Sequence, residues 1–390
     1  MNVVLFDSQR RNDLKPFTFT RPVAEIRCGI LTIKEKWDLI LGCTSSYETQ
    51  PYLQTKYPRI TNNDTLYINA TILPNHALVS EIIQLKKGEA LYFQDNIIAV
   101  HTTNDFVEQL EEYTQVETLC EVQQIRYPWN IFSFNAQEIE RDFELITKHK
   151  TSQKISTTNN IIAPENIFIE PDAVVEFATI NASKGKVYIG KGAEVMEGAI
   201  IRGPFALCEH ATVKMATKIY EGTTIGPYCK VGGEVQNSVL FGYSNKGHDG
   251  YLGNSVIGEW CNLGADTNNS NLKNDYSEVK VWNYTTERFM KTGLQFCGLF
   301  LGDHSKSAIN TMFNTGTLVG VSSNVFGSGF PRNFFPSFSW GGADGMSEYA
   351  LKKACETAQR VYARRAKIFD QTEIDIFAHI FQETAQYRRF

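Results

Sequence analysis

No Cys-x-x-Cys pair occurs in these 390 residues, although eight cysteines stand at 28, 43, 120, 208, 229, 261, 297 and 355. Without that spacing, zinc knuckles and thioredoxin-type chemistry are disfavoured. Scattered thiols read instead as mostly buried structural residues in a reducing compartment. No stretch approaches the ~20 apolar residues of a membrane-spanning helix. There is no basic excess either: 38 Lys and Arg against 43 Asp and Glu leave a net charge of -5, which disfavours nucleic acid as the main partner. The opening M-N-V-V-L-F-D-S reaches an acid, and then Arg10-Arg11, too early for a signal peptide. A cytoplasmic chain with no membrane partner is the expectation. The composition, 42% apolar and 21% charged, is that of a soluble globular protein with room for two or three domains.

What the chain does have is a six-residue rhythm. Ile189, Val195, Ile201, Leu207, Val213, Ile219, Ile225 and Val231 are evenly spaced and all aliphatic. A period of six fits neither an amphipathic helix nor a two-period strand. It fits a triangular solenoid in which each hexad makes one flat face, about 18 residues per turn, with the aliphatic side chain pointing inward. The predicted fold is a left-handed parallel β-helix of hexapeptide repeats, an exception to right-handed crossovers. Ala163, Ile169 and Val175 begin the repeat in an earlier phase, which slips across Lys184-Gly185-Lys186. The rhythm falters after Val231, partly resumes at Ile257 and Leu263, and returns at Phe313, Val319 and Val325. Residues 272–296 break it and read as a hairpin or loop projecting from the prism, a feature that often walls a site between subunits.

Three segments follow: an α/β domain over 1–150, the β-helix over 160–342 and a helical segment over 343–390, with polar residues 150–160 as linker. In the first domain, Asn2 to Phe6 and Thr65 to Ile72 read as strands, and Ala90 to His101 as strands around an Asp95-Asn96 turn. Helices are expected near I-L-T-I-K-E-K-W, over Val107 to Tyr113 and over Ile139 to His149. In the C-terminal segment, Ala350, Leu351, Ala354, Ala358, Val361 and Tyr362 share one helical face, and a second helix runs through Glu373 to Arg388. Such helices can cap the open edge of a β-helix or make a trimer contact.

The stretch from Gly232 to Leu272 differs from the hexads around it: it carries His248, Tyr251, several asparagines and clustered glycines. An imidazole is suited to general-base work near neutrality. Acyl transfer from a thioester to an amine needs such a base, together with N–H donors for the developing oxyanion, and no metal.

Here the chain resembles the bifunctional glucosamine-1-phosphate acetyltransferase / N-acetylglucosamine-1-phosphate uridylyltransferase family, particularly its archaeal and alternate bacterial forms. That family has an H-x-x-Y-[LIV]-G-D signature; this chain reads H-D-G-Y-L-G-N from His248 to Asn254. The resemblance implies that His248 is the acetyltransferase base and that Tyr251 contacts the sugar phosphate. N-L-G-A, similar to the family's N-I-G-A, implies a binding role for Asn262 and an acetyl-CoA contact at Ala265. Asn271 falls on the asparagine of a C-N-Y-D segment that touches the acceptor; it reads equally as part of an internal asparagine ladder. Glu234 to Asn237, E-V-Q-N, is similar to E-V-K-N, so the sugar-contacting lysine is Gln236 here and Glu234 keeps its place. Lys218 stands where the family has a phosphate-binding arginine, with a solvated corner as the rival reading. Lys214 or Lys246 could compensate for the lost cation.

The resemblance extends to the N-terminus. L-K-P-F-T-F-T-R-P resembles the L-x-P-L-T-x-x-x-P of nucleotidylyl transferases, with Arg10, Arg11, Lys15 and Arg21 as candidate nucleotide-binding residues; a solvated basic loop is the alternative. The loop has no glycine, Val23 stands where a lysine is usual, and Asn69-Ala70 stands where the family has its metal-binding aspartate. Asparagine is a poor replacement for a carboxylate on Mg²⁺. The implied function is acetyl-CoA-dependent N-acetylation of an amino-sugar phosphate, fused to nucleotidyl transfer from UTP or another NTP with Mg²⁺, for UDP-N-acetylglucosamine-type precursors of the cell envelope, in a homotrimer. The alternatives are an acetyltransferase with a degenerate nucleotide-binding domain and a non-catalytic sugar-nucleotide-binding regulator. A zinc-dependent β-helix enzyme is disfavoured, because His210, His248 and His304 form no H-x₄-H pair.

Overall fold

The computed structural model describes residues 2–60, 62–104, 106 and 108–390. Their contacts divide into two units. One holds the residues up to Leu14, Thr20–Ile26 and Leu31–Tyr127; the other holds Lys15–Phe19, Arg27–Ile30 and Pro128–Phe390. The division by contact therefore falls at Tyr127/Pro128, before the polar stretch at 150–160, and two short N-terminal segments belong to the second unit.

The first unit is an α/β layer. Its strands are β1 (Asn2–Phe6), β2 (Ser46–Glu48), β3 (Thr65–Asn69), β4 (Glu89–Phe93), β5 (Asn96–Thr102) and β6 (Thr114–Glu117), in the sheet order β2-β1-β3-β5-β4-β6. β1 runs parallel to β2 and β3, while β4 and β5 form an antiparallel hairpin whose turn is Gln94-Asp95, one residue before the expected Asp95-Asn96. Val4, Phe6, Tyr67, Ala90, Ile97 and Val100 are buried together. Helices α1 (Ile33–Leu41) and α2 (His76–Ile83) accompany the sheet. Thr32 starts α1 with a reciprocal capping box to Glu35, which satisfies two otherwise orphan N–H groups. Of the helix expected over Val107 to Tyr113, Val107 lies outside the described residues, and Leu110–Glu112 is a single 3-10 turn. Leu110 and Tyr113 are only partly buried against the sheet core, too small an apolar contact to hold a longer helix.

The second unit opens with α3 (Pro128–Thr147), which begins on proline, the favoured first position, well before the expected Ile139. Trp129, Ile131, Phe132, Ile139 and Phe143 are buried along it. The Asn135 side chain donates to the Gly222 carbonyl at 2.8 Å and to Thr224 Oγ1 at 3.0 Å, which ties the helix to the solenoid.

The solenoid has three parallel faces. One begins at Asn160–Ile162 and runs through six strands to Tyr251–Gly253. The second stacks nine strands, from Ile167–Ile169 to Phe334–Phe335. The third stacks five, from Val174–Val175 to Asn245–Lys246. All eight hexad residues point into a single core. Register confirms the coil length: Ile189, Leu207 and Ile225 are aligned, 18 residues apart. The rhythm falters after Val231 because the next coil is shorter, with Ile225 pairing Leu240.

One corner carries residues with positive φ on successive coils: His210 (53°), Tyr228 (59°), Tyr243 (54°), Trp260 (61°) and His304 (62°). Their rings stack down the corner at 5.0, 5.0, 4.2 and 6.2 Å. Helices α4 (Leu351–Ala363) and α5 (Gln371–Glu383) pack along this corner. Tyr362 stacks on Trp260 at 4.2 Å, and Phe377 meets both His304 and Phe338 edge-on. The helices and the aromatic corner bury one another: Trp260 is 5% and His304 4% exposed. The 272–296 excursion contains the expected hairpin, Lys280–Asn283 with Arg288–Lys291, but it folds back instead of projecting. Val279 and Val281 are fully buried, and Trp282 stacks on Phe334 at 4.4 Å.

Candidate functional site

Lys214, Lys230, Tyr243, Asn245, His248, Trp260, Asn262 and Ala265 line a cavity of about 660 Å³ with Ile309 and with Val361, Arg364 and Arg365 from α4 and its C-terminal end. The volume lies within the range of small-molecule sites. Four residues singled out from the sequence, Lys214, His248, Asn262 and Ala265, thus come together. Asn245 and Asn262 are neighbours on adjacent coils of the third face.

His248 lies in a bend between the third and first faces and is exposed. Its side chain forms no hydrogen bond among the described residues. The bend ends at Gly250, whose φ of 113° and whose closeness to the Thr267 carbonyl both exclude a side chain. Beyond it, the N–H of Gly264 donates to the Ser307 carbonyl at 3.1 Å and that of Asp266 to the Asp249 carbonyl at 3.1 Å. The Ala265 N–H between them has no partner among the described residues.

Four cations edge the cavity: Lys214, Lys230, Arg364 and Arg365. None forms an ion pair among the described residues. Arg365 donates to the Tyr228 carbonyl at 3.3 Å, and Lys367 sits 5.0 Å from the Tyr243 ring centroid, so the helix end is held in place. Sequence reading did not single out Lys230, Arg364 or Arg365. No local motif marks them, since they meet Lys214 only because α4 returns to the corner.

The remaining sequence-derived residues gather on the first face. Lys218 aligns with Glu234, and Glu234 with Tyr251. Lys218 Nζ lies 3.7 Å from Glu234 and is half exposed, so this pair contributes little to stability. The Tyr251 hydroxyl donates to Gln236 Oε1 at 2.9 Å and accepts from Asn271 Nδ2 at 2.9 Å; Asn271 also donates to Asn254 Oδ1 at 2.8 Å. Asn271 is therefore a surface network residue, and the internal asparagine is Asn269, 4% exposed. Lys246 cannot supply the missing surface cation, because it points into the core and is 1% exposed.

In the first unit, Arg11 belongs to a short 3-10 helix, Gln9–Leu14, and not to an open loop. Its Nε lies 3.2 Å from Asp7 Oδ2 with both side chains buried, and it donates to the Tyr52 hydroxyl at 2.8 Å. Burial pushes the Asp7 carboxyl up, against the pull of Arg11. Arg10 lies 3.8 Å from Asp13 and remains partly exposed, while Arg21 is buried. Lys15, in the second unit, pairs with Glu383 at 2.6 Å. The Asn69 side chain donates to the Ile97 carbonyl and accepts from the Thr71 N–H and hydroxyl. No group of three His, Cys, Asp or Glu suited to a metal occurs among the described residues. With Asn69 committed to its own turn and Asp7 to Arg11, the donors present do not fit Mg²⁺.

The sheet order of the first unit and the committed residues behind β1 meet an independent finding. Residues 3–151 match the sugar nucleotidyl transferase family. The chain is 32% identical over 145 residues to a bifunctional sugar-1-phosphate nucleotidylyltransferase/acetyltransferase of Sulfurisphaera tokodaii, covering 37% of this chain and 36% of that one. It is 31% identical over 184 residues to the bifunctional protein GlmU of Methanocaldococcus jannaschii, covering 47% and 41%. It is 25% identical over 154 residues to an uncharacterized acetyltransferase, YaiX, of Escherichia coli, covering 39% and 66%. The chain thus spans less than two thirds of each of these relatives. No helix among the described residues is long and apolar enough to cross a membrane. Six of the eight cysteines are buried and all eight are free thiols.

Proposed function

We propose that the second unit transfers an acetyl group from acetyl-CoA to the amine of an amino-sugar phosphate of the glucosamine-1-phosphate kind. The observation that carries this reading is an exposed His248 lining a cavity edged by four cations without carboxylate partners. Such a rim suits a ligand rich in phosphates. The thioester lies along the third face beside Ala265, whose open N–H is a donor for the oxyanion. The acceptor lies over the corner towards Tyr251, Gln236 and Asn271, with Lys218 and Glu234 beyond. His248 takes the proton of the attacking amine as the C–N bond forms. As the tetrahedral intermediate collapses and the C–S bond breaks, the imidazolium returns that proton to the departing thiolate.

For the first unit we propose binding of a nucleotide or sugar phosphate, with transfer of a uridylyl group as the activity its family suggests. The buried Asp7–Arg11 pair and the engaged Asn69 favour a second reading, a domain that binds without turnover. Mass spectrometry of products from glucosamine-1-phosphate, acetyl-CoA, UTP and Mg²⁺ tests both units together. An N-acetylated sugar phosphate with no UDP-sugar supports the second reading, and no acetylated product overturns the first proposal.

A further inference from the structure

The inward residues of the third face are aliphatic at Val175, Val195, Val213 and Val231, and again at Leu263 and Val325. Lys246 interrupts the row with a charge, whereas the later break at Ser307 is small and neutral. The lysine aligns with Val231 on the coil before and is 1% exposed. An ammonium in such surroundings is costly unless its protons are bonded. Nζ donates to the Gly232 carbonyl at 3.1 Å and to the His248 carbonyl at 2.8 Å. No carboxylate pairs with it among the described residues; Asp249 and Asp266 act on it only at longer range.

These two carbonyls belong to successive coils at the same corner, and the backbone there is irregular. On four other coils of this corner an N–H donates to the coil before: Gly198 to Phe177, Ala216 to Glu197, Asp266 to Asp249 and Asn310 to Ala265, while the two-residue corner Gly232-Gly233 of the short coil makes no such bond among the described residues. Among the described residues, none of the N–H groups of 247–250 makes such a bond. The shortened coil has lost that rung at the bend that carries the imidazole. The lysine side chain spans the gap from inside, bonded to the carbonyl of His248 itself.

We propose that Lys246 is a positioning residue, a side-chain rung that replaces the missing backbone bond and sets the pose of His248 against the cavity. The kinetic part rests on the acetyl-transfer reading; the structural part does not. Lys246→Met restores an apolar inward residue of similar length but removes both bonds. The expected result is a folded protein in which the His248 ring resonance, assigned by its loss in His248→Ala, shifts or broadens. The kcat of acetyl transfer falls by roughly 10-fold or more while both KM values stay within about threefold, the pattern of misplacement without lost binding. Lys246→Gln, which keeps an NH₂ group one atom short, gives an intermediate loss and carries the test if the methionine variant does not fold. An unshifted His248 resonance with wild-type kcat in the folded variant overturns the proposal. If the wild-type protein shows no acetyl transfer, the acetyl-transfer reading fails by itself and the resonance alone decides whether Lys246 holds the bend.

Discussion

Asn271 Nδ2 reaches the Tyr251 hydroxyl at 2.9 Å across one full coil, at the place where the following excursion leaves the solenoid. The same hydroxyl donates to Gln236 on the coil before. One phenol thus links three consecutive layers of the first face. Gly253 makes this possible, because a Cβ there would overlap the Tyr251 ring end.

Tyr251→Phe therefore removes the hub and leaves Asn271 and Gln236 each short of a partner. We expect a stability loss of about 1 kcal/mol in denaturant melts. If this face holds the acceptor, KM for the amino-sugar phosphate rises while KM for acetyl-CoA does not.

His248→Ala removes an exposed side chain that makes no hydrogen bond among the described residues, so the melting temperature should stay close to that of the wild type. Acetyl transfer should fall ~10²-fold or more. Near-normal turnover would remove this imidazole from the reaction.

Arg364→Ala and Lys214→Ala test the cationic rim. Each should raise KM for acetyl-CoA by roughly 10-fold with little change in kcat, since one charge-assisted bond is lost. The effect should shrink as ionic strength rises. A salt-independent loss of kcat would point to a different role.

Arg11→Ala removes the guanidinium paired with the buried Asp7, and removal of one partner from such a pair costs about 3–5 kcal/mol. A large fall in melting temperature identifies Arg11 as a framework residue. Unchanged stability with weakened UTP binding would restore it as a phosphate ligand.

Lys246 gives a pH test. Burial pulls its pKa from 10.5 down to about 8. Between those values the unfolded chain binds the proton more tightly than the folded one, so stability rises with pH across that window and the penalty is fully present below 8. At 1.36 kcal/mol per unit the penalty is of order 3 kcal/mol. The stability advantage of Lys246→Met, measured by denaturant melts, should be largest near pH 7 and shrink towards pH 10. A pH-independent difference would contradict a buried ammonium.

The solenoid was legible because its inward positions obey one steric rule repeated on every coil: Ile189, Leu207 and Ile225 face the same interior at the same height. His248 and Tyr251 stood out because they interrupt that rule within a few residues. Arg364 had no such signal. It lies in an ordinary amphipathic helix, and only the stacking of Tyr362 on Trp260 brings that helix to the cavity. Lys246, one of two candidates for a compensating surface cation, instead points inward because the coil before it is short. Counting sixes from Val231 loses the phase, and a slip in phase exchanges inside for outside.

By itself, then, the order of residues determined the repeat, the bend that breaks it and the side chains that bend displays, because these depend on short-range spacing. Tertiary structure decided which cations surround His248, that Arg11 faces Asp7, and that an ammonium rests inside the prism. Those outcomes depend on where distant segments return, and on burial, which gives charge and hydrogen bonding their weight.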